Sequence, residues 1–339
     1  MGEFELIRRF FTRPTPKAVV GVGDDCAVLQ VAPGMQMAIS TDMLVAGRHF
    51  FHDVDPRSLG HKALAVNLSD LAACGARPMA FTLALALPEA NPAWLQAFSE
   101  GLWALADSHG CELVGGDTTQ GPLTINITVF GEVPASQPGP TGQPGTQALL
   151  RSGARVGDDI YVSGHLGDAR LALEERLGHI ELPPEVRAAV SRRLDWPTPR
   201  IALGLALRAV ASAAADISDG LVGDLGHILD QSGVGATINA SLAIELIASK
   251  SYFTRAEAQF DQYNSEQLMR RCVFSGGDDY ELVFTASPHR RSAVLAASAA
   301  AATPVTRIGQ IERAPGLRLI DANAQPMTNT FASFDHFAN

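Results

Sequence analysis

Lysine is scarce in this sequence, and its scarcity excludes two familiar kinds of phosphate-binding loop. The 339 residues include only three lysines, Lys17, Lys62 and Lys250. None of them lies in a GxxxxGK(S/T) motif, in which a lysine follows a glycine-rich loop around the phosphates. No kinase-type glycine-rich loop followed by a strand lysine is present either. If the chain binds a nucleotide, another source of positive charge must neutralise the polyphosphate.

Basic residues and cysteines are also too few or too scattered for several classes of protein. The formal net charge is -10, which argues against nucleic acids and against anionic membrane surfaces as partners. The cysteines form no CxxC pair and show no zinc-type spacing. We therefore expect buried or half-buried thiols, in a reducing compartment, at the four positions Cys26, Cys74, Cys111 and Cys272.

Long apolar runs are missing as well. The most apolar stretch, residues 63–88, is interrupted by Asn67, Asp70 and Arg77, and no run approaches the length of a membrane-spanning helix. The first residues mix glutamates and arginines with apolar side chains, which is unlike a signal peptide. These features predict a cytoplasmic protein that has neither a membrane nor a nucleic acid as its partner.

Strand-like and helix-like runs alternate along the chain, which predicts an α/β protein of the α+β type. Its length and its hydrophobic content of 46% predict two packed domains. We place the boundary near residue 150, after a Pro/Gly/Gln-rich stretch, so that the domains span residues 1–150 and 151–339. Predicted strands cover residues 37–41, 123–133, 160–164 and 280–285, and predicted helices cover residues 56–75, 92–110, 199–213, 220–232 and 292–302.

Aspartates recur beside glycine or a small hydroxyl residue at several places in the chain. Glycine lets the backbone approach a ligand closely, and carboxylate and hydroxyl oxygens are ligands that Mg²⁺ prefers. A single Gly-Asp or Ser-Asp pair is more often a turn or a helix cap, but turns do not require the same composition at six places. The recurrence predicts a site for divalent metal and phosphate. The six motifs are Gly21-Val22-Gly23-Asp24-Asp25, Ser40-Thr41-Asp42, Asn67-Leu68-Ser69-Asp70, Gly115-Gly116-Asp117-Thr118, Asp216-Ile217-Ser218-Asp219-Gly220 and Ser275-Gly276-Gly277-Asp278-Asp279.

These motifs belong to longer blocks that resemble, in order and over essentially the whole chain, the bacterial thiamine-monophosphate kinase family. The blocks are GVGDDCA, ISTDML, GRHF, KALAVNLSDLAACGA, GGDTTQGP, SGHLGD, PTPRI, DISDGLVGDLGHI and SGGDDYEL. The resemblance implies a two-domain aminoimidazole ribonucleotide synthetase-like fold, in which the amino-terminal domains pair their strands across a homodimer. It also implies ATP-dependent phosphorylation of thiamine monophosphate to thiamine diphosphate, by direct in-line γ-phosphoryl transfer assisted by several Mg²⁺ ions.

The resemblance also implies roles for individual residues. The implied metal ligands are Asp25, Ser40, Thr41, Asp42, Asp70, Asp117, Asp216 and Asp219, of which Asp42, Asp70 and Asp117 are the catalytic ones. The implied contacts with ATP are Gly116, Asp117, Arg151, Ser218 and Ser99. The implied contacts with thiamine monophosphate are His49, Asp278 and Phe334, and the family commonly has glutamate where this chain has Asp278.

Two other readings stay open at this point. The chain could be another ATP-dependent enzyme of the same superfamily, such as one resembling aminoimidazole ribonucleotide synthetase. It could also be a non-catalytic scaffold that binds a nucleotide or metal, although a scaffold would not need every carboxylate of the motifs. The blocks GGDTTQGP and SGGDDYEL favour the thiamine enzyme.

Overall fold

The computed structural model describes residues 2–137, 145–255 and 262–331, and it divides the chain into two compact units. The first unit runs up to Leu71 and continues with Ala76–Ala148. The second unit contains Ala72–Gly75 and the chain from Leu149 onwards. Both units mix helices with a sheet, which confirms the predicted fold class.

The first unit is built around a sheet of five strands with the order β1-β4-β2-β3, and β5 pairs with the end of β4. Strand β4 is antiparallel to both β1 and β2, whereas β2 and β3 are parallel. The strands are β1 (Met35–Val45), β2 (Arg77–Leu87), β3 (Glu112–Gln120), β4 (Thr124–Ser136) and β5 (Gly145–Thr146), and the helices are α1 (Glu3–Leu6), α2 (Pro56–Ala73) and α3 (Pro92–His109).

Helix α3 has the boundaries that its sequence predicts. The Asn91 side chain accepts hydrogen bonds from the Ala93 and Trp94 backbone N–H groups, and Gly110 ends the helix in the left-handed conformation. Helices α2 and α3 approach each other backbone to backbone. A Cβ at Gly60 would overlap the Phe98 carbonyl. The glycine at this crossing therefore allows a contact that no larger residue permits.

One face of this sheet is buried and the other is largely open. Strand β4 buries Ile125, Ile127 and Val129 on a single face, as the predicted alternation requires. The opposite face includes Ile39 and Met43 of β1, which are 61% and 54% exposed. We call this second side the open face; the β-pairing register places on it Ile39, Thr41, Met43, Thr128, Ala84 and Asp117.

The second unit is built around a sheet of seven strands with the order β12-β11-β8-β10-β6-β9-β7. Its strands are β6 (Asp159–Ser163), β7 (Ala213–Ile217), β8 (Gly235–Asn239), β9 (Glu281–Ala286), β10 (Val305–Glu312), β11 (Gly316–Ile320) and β12 (Pro326–Met327). Its helices are α4 (Asp168–Arg176), α5 (Pro184–Asp195), α6 (Ile201–Leu207), α7 (Leu221–Ser232), α8 (Ala240–Ile244), α9 (Lys250–Arg255), α10 (Gln262–Ser275) and α11 (Arg291–Ala300). Buried side chains of both strands and helices, including Val162, Ile217, Leu225 and Phe274, form one core.

Two predictions need correction. The helix predicted over residues 199–213 ends at Leu207, and Ala213 already begins β7, because Ala213–Ala215 pair with Val283–Thr285 of β9. Strand pairing in the core thus overrides the helix propensity of alanine. Cys26 is exposed rather than buried, whereas burial raises the pKa of the Cys111 and Cys272 thiols to about 12.

Two further predictions concern the link between the domains and the absence of a membrane span. The Pro/Gly/Gln-rich stretch at residues 134–146, after which we placed the domain boundary, lies partly outside the described residues, which omit 138–144. Within the part of the chain that the structure describes, no helix is long and apolar enough to cross a membrane.

Candidate functional site

Helix α2 and strand β1 bring three of the predicted metal ligands of the first unit together. The Ser40 hydroxyl donates to Asp70 Oδ2 at 2.5 Å. Asn67, which is buried in α2, accepts the Asp42 backbone N–H at 3.1 Å and donates its own amide to the Ala63 carbonyl. Asn67 therefore ties the strand that carries Ser40 and Asp42 to the helix that carries Asp70. The sequence motif contains Asn67, but its role becomes visible only in the fold.

Thr41 and Asp117 lie on the open face, away from those three residues. The Thr41 hydroxyl donates to the Ile127 carbonyl at 3.0 Å, and Asp117 is exposed on β3. Strands β1 and β3 are the two ends of the order β1-β4-β2-β3. Three strand spacings, each about 4.8 Å, separate Asp42 from Asp117 across the sheet, a distance on the order of 14 Å. Within one chain the sheet does not bring Asp117 to Asp42 and Asp70.

Gly116, the predicted ATP contact beside Asp117, has a structural reason to be glycine. A Cβ at this position would overlap the backbone of Leu83 on the neighbouring parallel strand. Asp25 lies exposed in a loop between Val20 and Val28, whose backbones form a bridge. The segment packs through Ala18, Ala27 and Leu29 against a small apolar cluster on the sheet, formed by Met79, Ala80, Val114 and Phe130.

His49 lies in the turn that follows β1. Its Nδ1 accepts the Val45 backbone N–H at 3.0 Å, and its own backbone N–H donates to the Val45 carbonyl. In the neutral ring this bond leaves the hydrogen on Nε2, so that the imidazole presents a donor on its other side. The half-buried ring is thus held in one orientation.

The predicted contacts of Ser99 and Phe334 stay predictions. Ser99 is 4% exposed in α3, and its hydroxyl donates to the Gln96 carbonyl of the same helix. Phe334 lies outside the described residues.

In the second unit, three loops meet at one edge of the sheet. Strand β9 is antiparallel to both β6 and β7. The carboxyl ends of β6 and β7 therefore lie beside the amino end of β9. The loops at these three ends contain residues 164–167, 218–220 and 276–280. They carry the predicted site residues Ser218, Asp219 and Asp278.

Backbone hydrogen bonds lock these loops to one another. The Asp278 N–H donates to the Ser218 carbonyl at 3.0 Å, and the Tyr280 N–H donates to the Ile217 carbonyl at 2.9 Å. The Gly167 N–H donates to both carboxylate oxygens of Asp279 at 3.0 Å. A Cβ at Gly277 would overlap the Ser218 carbonyl, so the approach of the two loops requires glycine there.

Asp278 and Tyr280 have backbone conformations that are unusual outside glycine. Their φ angles are 66° and 50°, in the left-handed region. Such conformations cost about 1–3 kcal/mol each and persist where surrounding contacts hold them, often at functional sites. Here the contacts with Ser218 and Ile217 hold them. The backbone that carries the half-buried Asp278 side chain is thereby held in place.

Two buried carboxyl groups beside Asp278 support the loops. Asp279 is fully buried, and desolvation raises its pKa well above the usual aspartate value. Glu281 is also fully buried; it accepts from the Arg200 Nε at 2.6 Å, the Arg193 Nη2 at 2.8 Å and the Ser163 hydroxyl at 2.6 Å. Two guanidinium groups around one carboxylate offset the cost of burying its charge.

Asp216 lies near the end of β7, and the loop that follows this strand, with Ser218 and Asp219, is held by Asp224. Asp224 Oδ2 accepts the backbone N–H groups of Ser218 and Asp219, each at 3.0 Å. Desolvation raises the pKa of Asp224 to about 7, although the two backbone hydrogen bonds and, to a smaller extent, the positive charge of Arg151 oppose this rise. Asp224 and Asp279 are not among the predicted site residues, although both lie inside the sequence blocks DISDGLVGDLGHI and SGGDDYEL.

The donor chemistry of the candidate ligands in the first unit fits Mg²⁺. Ser40, Asp42 and Asp70 offer only oxygen donors, the kind that Mg²⁺ prefers. No group of three or more histidine, cysteine, aspartate or glutamate side chains that could hold a metal ion occurs among the residues that the structure describes.

Comparison with known proteins finds one family domain in each half of the chain. The family model for the AIR synthase related protein N-terminal domain matches residues 23–133, and the model for the C-terminal domain matches residues 155–322. Thiamine-monophosphate kinase of Salmonella typhimurium is 43% identical over 343 aligned positions, which cover 99% of this chain and 98% of that protein. The chain belongs to the thiamine-monophosphate kinase family.

Solved structures of the thiamine-monophosphate kinase family agree with the assignment. The enzyme from Stenotrophomonas maltophilia K279a has a TM-score of 0.78 and 41% identity, and the alignment covers 93% of this chain and 94% of that one. AaThiL complexed with AMPPCP and TMP has a TM-score of 0.73 and 28% identity, over 91% of this chain and 89% of that one. These likenesses confirm the resemblance on which the sequence analysis relied.

The buried Asp279 predicts a specific dependence of stability on pH. Because its pKa is raised in the folded state, the folded chain binds more protons than the unfolded chain from about pH 4 upwards, until the raised pKa is passed. The free energy of unfolding should therefore fall as the pH rises through this window. For Asp279→Asn, the free energy of unfolding measured by urea titration should fall less steeply between about pH 5 and 8.

The control for this experiment is Asp230→Asn, which changes an exposed aspartate on α7. It should follow the wild-type pH dependence. An Asp279→Asn variant that also follows the wild-type slope would contradict the assignment.

Proposed function

We propose that this chain transfers the γ-phosphoryl group of ATP to thiamine monophosphate, giving thiamine diphosphate and ADP. The observation that carries the proposal is the 43% identity with the thiamine-monophosphate kinase of Salmonella typhimurium over 99% of this chain. The complex of AaThiL with AMPPCP and TMP supports the same pair of substrates. The aspartate-bearing loops of both units supply the chemistry that such a reaction needs.

The acceptor in this reaction is itself a phosphate, and this determines what the protein must do. Its attacking oxygen is already anionic near neutral pH, so a strong general base is not required. Catalysis then consists of in-line positioning and of neutralising charge on the transferred group. We assign the positioning of the acceptor to His49 and Asp278, whose orientations are fixed by Val45 and Ser218.

Charge neutralisation is the harder task for this chain, because its lysines do not form a phosphate loop. Mg²⁺ held by carboxylates would supply the positive charge that the phosphate groups require during transfer. We propose that Asp42 and Asp70, with Ser40, hold Mg²⁺ in the first unit, and that Asp216 and Asp219 hold it in the second. Arg151 contributes planar donors to a phosphate of ATP.

The family resemblance implies a glutamate at the position where this chain has Asp278. Aspartate is one methylene shorter, so its carboxylate lies closer to its own backbone. The left-handed conformation at Asp278 and its bond to Ser218 set where that backbone lies. We propose that this fixed loop presents Asp278 to the amine of the thiamine moiety.

We further propose that the chain works as a homodimer. Strand β1 is an edge strand, and its exposed Ile39 and Met43 make the open face partly apolar. Long edge strands with apolar side chains tend to pair with another chain. If β1 pairs with β3 of the second copy, which is the other end of the order β1-β4-β2-β3, that copy's Asp117 would lie one strand spacing from the strand that carries Asp42. The four free thiols fit a cytoplasmic location.

The test of the proposed reaction is ADP release with different acceptors. The purified chain should release ADP from ATP with thiamine monophosphate and Mg²⁺, and should release little with formylglycinamidine ribonucleotide, the acceptor of the superfamily alternative. Chelation of Mg²⁺ should abolish the activity. Release with formylglycinamidine ribonucleotide alone would favour the synthetase reading, and no release with either acceptor would favour the scaffold.

The test of the homodimer is the mass in solution of a variant at the edge strand. The wild-type chain should elute at about twice its 35.8 kDa in light scattering coupled to size exclusion. Ile39→Asp should shift the mass towards one chain, because it buries a charge in the proposed contact. Leu295→Asp is the matched control, since Leu295 is 63% exposed on α11. A monomeric wild type, or a dimeric Ile39→Asp, would contradict the arrangement.

A further inference from the structure

Asp224 occupies an unusual place for a carboxylate in the first turn of a helix. It lies in α7 and is 3% exposed. Its side chain reaches back past the start of the helix, where Oδ2 accepts the N–H groups of Ser218 and Asp219, each at 3.0 Å. Both bonds therefore go to the loop between β7 and α7 rather than to the helix itself.

The same loop is held from its other side. The Ser218 carbonyl accepts the Asp278 N–H at 3.0 Å. Gly220, with φ of 110°, packs so closely on the end of α10 that a Cβ would overlap the Ser275 backbone. The peptide groups around Ser218 thus form hydrogen bonds with Asp224 on one side and with the loop of Asp278 on the other. Among these contacts, the one with Asp224 is made by a side chain.

An acidic residue in the first turn of a helix commonly stabilises the helix through its dipole. That explanation is not sufficient for Asp224. Burying a carboxylate is costly when its hydrogen-bond donors are neutral backbone groups. The neighbouring Asp219 carboxylate adds repulsion. An exposed aspartate in the same turn would interact with the dipole at a lower cost, so the buried position points to the loop as the reason for this residue.

We propose that Asp224 is a positioning residue, which orients the backbone of Ser218 and Asp219 so that their side chains face the nucleotide and the divalent cation. The inference rests on the proposed function for the roles of those two residues. In this role Asp224 must place an acceptor oxygen beside the two N–H groups, and its negative charge is not required. A side chain that keeps the oxygen in position should therefore work, and one that removes or displaces it should not.

Three variants of the full chain separate these possibilities. Asp224→Asn keeps the shape and an acceptor oxygen but removes the charge. Asp224→Glu keeps the charge but moves the oxygen by one methylene group. Asp224→Leu removes the acceptor while filling a similar volume. Asp230→Asn and Asp230→Leu are the matched controls, because Asp230 is an exposed aspartate on the same helix.

The primary measurement is the dissociation constant of AMPPCP by calorimetry in the presence of Mg²⁺, which does not depend on turnover. Groups that orient metal-binding residues typically change affinity by about 10- to 100-fold when they are removed. Asp224→Leu and Asp224→Glu should weaken AMPPCP binding by that factor and raise the KM for ATP similarly. Asp224→Asn and both controls should stay within about threefold of the wild type in AMPPCP affinity and in the KM for ATP.

Unchanged AMPPCP binding in Asp224→Glu would overturn the inference, and so would an Asp224→Asn variant that loses as much affinity as Asp224→Glu. These two variants decide the question even if Asp224→Leu does not fold, which far-UV circular dichroism would show. Failure of the proposed function would look different, because the wild-type chain itself would then bind no AMPPCP and phosphorylate no thiamine monophosphate.

Discussion

The antiparallel pairing of β9 with both β6 and β7 is the constraint on which the second unit's site depends. It brings two strand ends and one strand start to the same edge of the sheet, where three loops must share limited space. Glycine at 277 permits the close approach, and the buried Asp279 binds the loop of Gly167 to that of Asp278. The position of Asp278 and the course of the Ser218–Asp219 loop both follow from this packing.

Much of the fold follows from local sequence. The alternation of Ile125, Ile127 and Val129 predicts β4, and a start near Pro92 with an end at Gly110 predicts α3. The strand at Ala213–Ala215 was not predictable in the same way, because alanine favours a helix until β9 pairs with it. A local sequence pattern therefore predicts helices and strands well where the burial pattern and the intrinsic propensity agree. It fails where pairing with a strand distant in sequence determines the secondary structure.

The candidate site was likewise predictable only in part. The aspartates with their glycines were recognisable as candidates, and the family likeness adds a reaction. Their spatial grouping was not recognisable, because the separation of Asp42 from Asp117 depends on the strand order β1-β4-β2-β3. The supporting roles of Asn67, Asp224 and Asp279 were also hidden, since each depends on which backbone N–H groups the fold places beside the side chain. The proposed homodimer offers one way to complete the first unit's site.

We propose that these carboxylates act through Mg²⁺ on the transfer of a phosphoryl group to thiamine monophosphate. The most direct measurement is the rate of thiamine diphosphate formation as Mg²⁺ is titrated, for the wild type, Asp42→Asn and the exposed control Asp53→Asn. Asp42→Asn should lower kcat by at least about 100-fold and should require more Mg²⁺, whereas its circular dichroism spectrum and the activity of Asp53→Asn should match the wild type. An Asp42→Asn variant with wild-type turnover and wild-type Mg²⁺ dependence would contradict it.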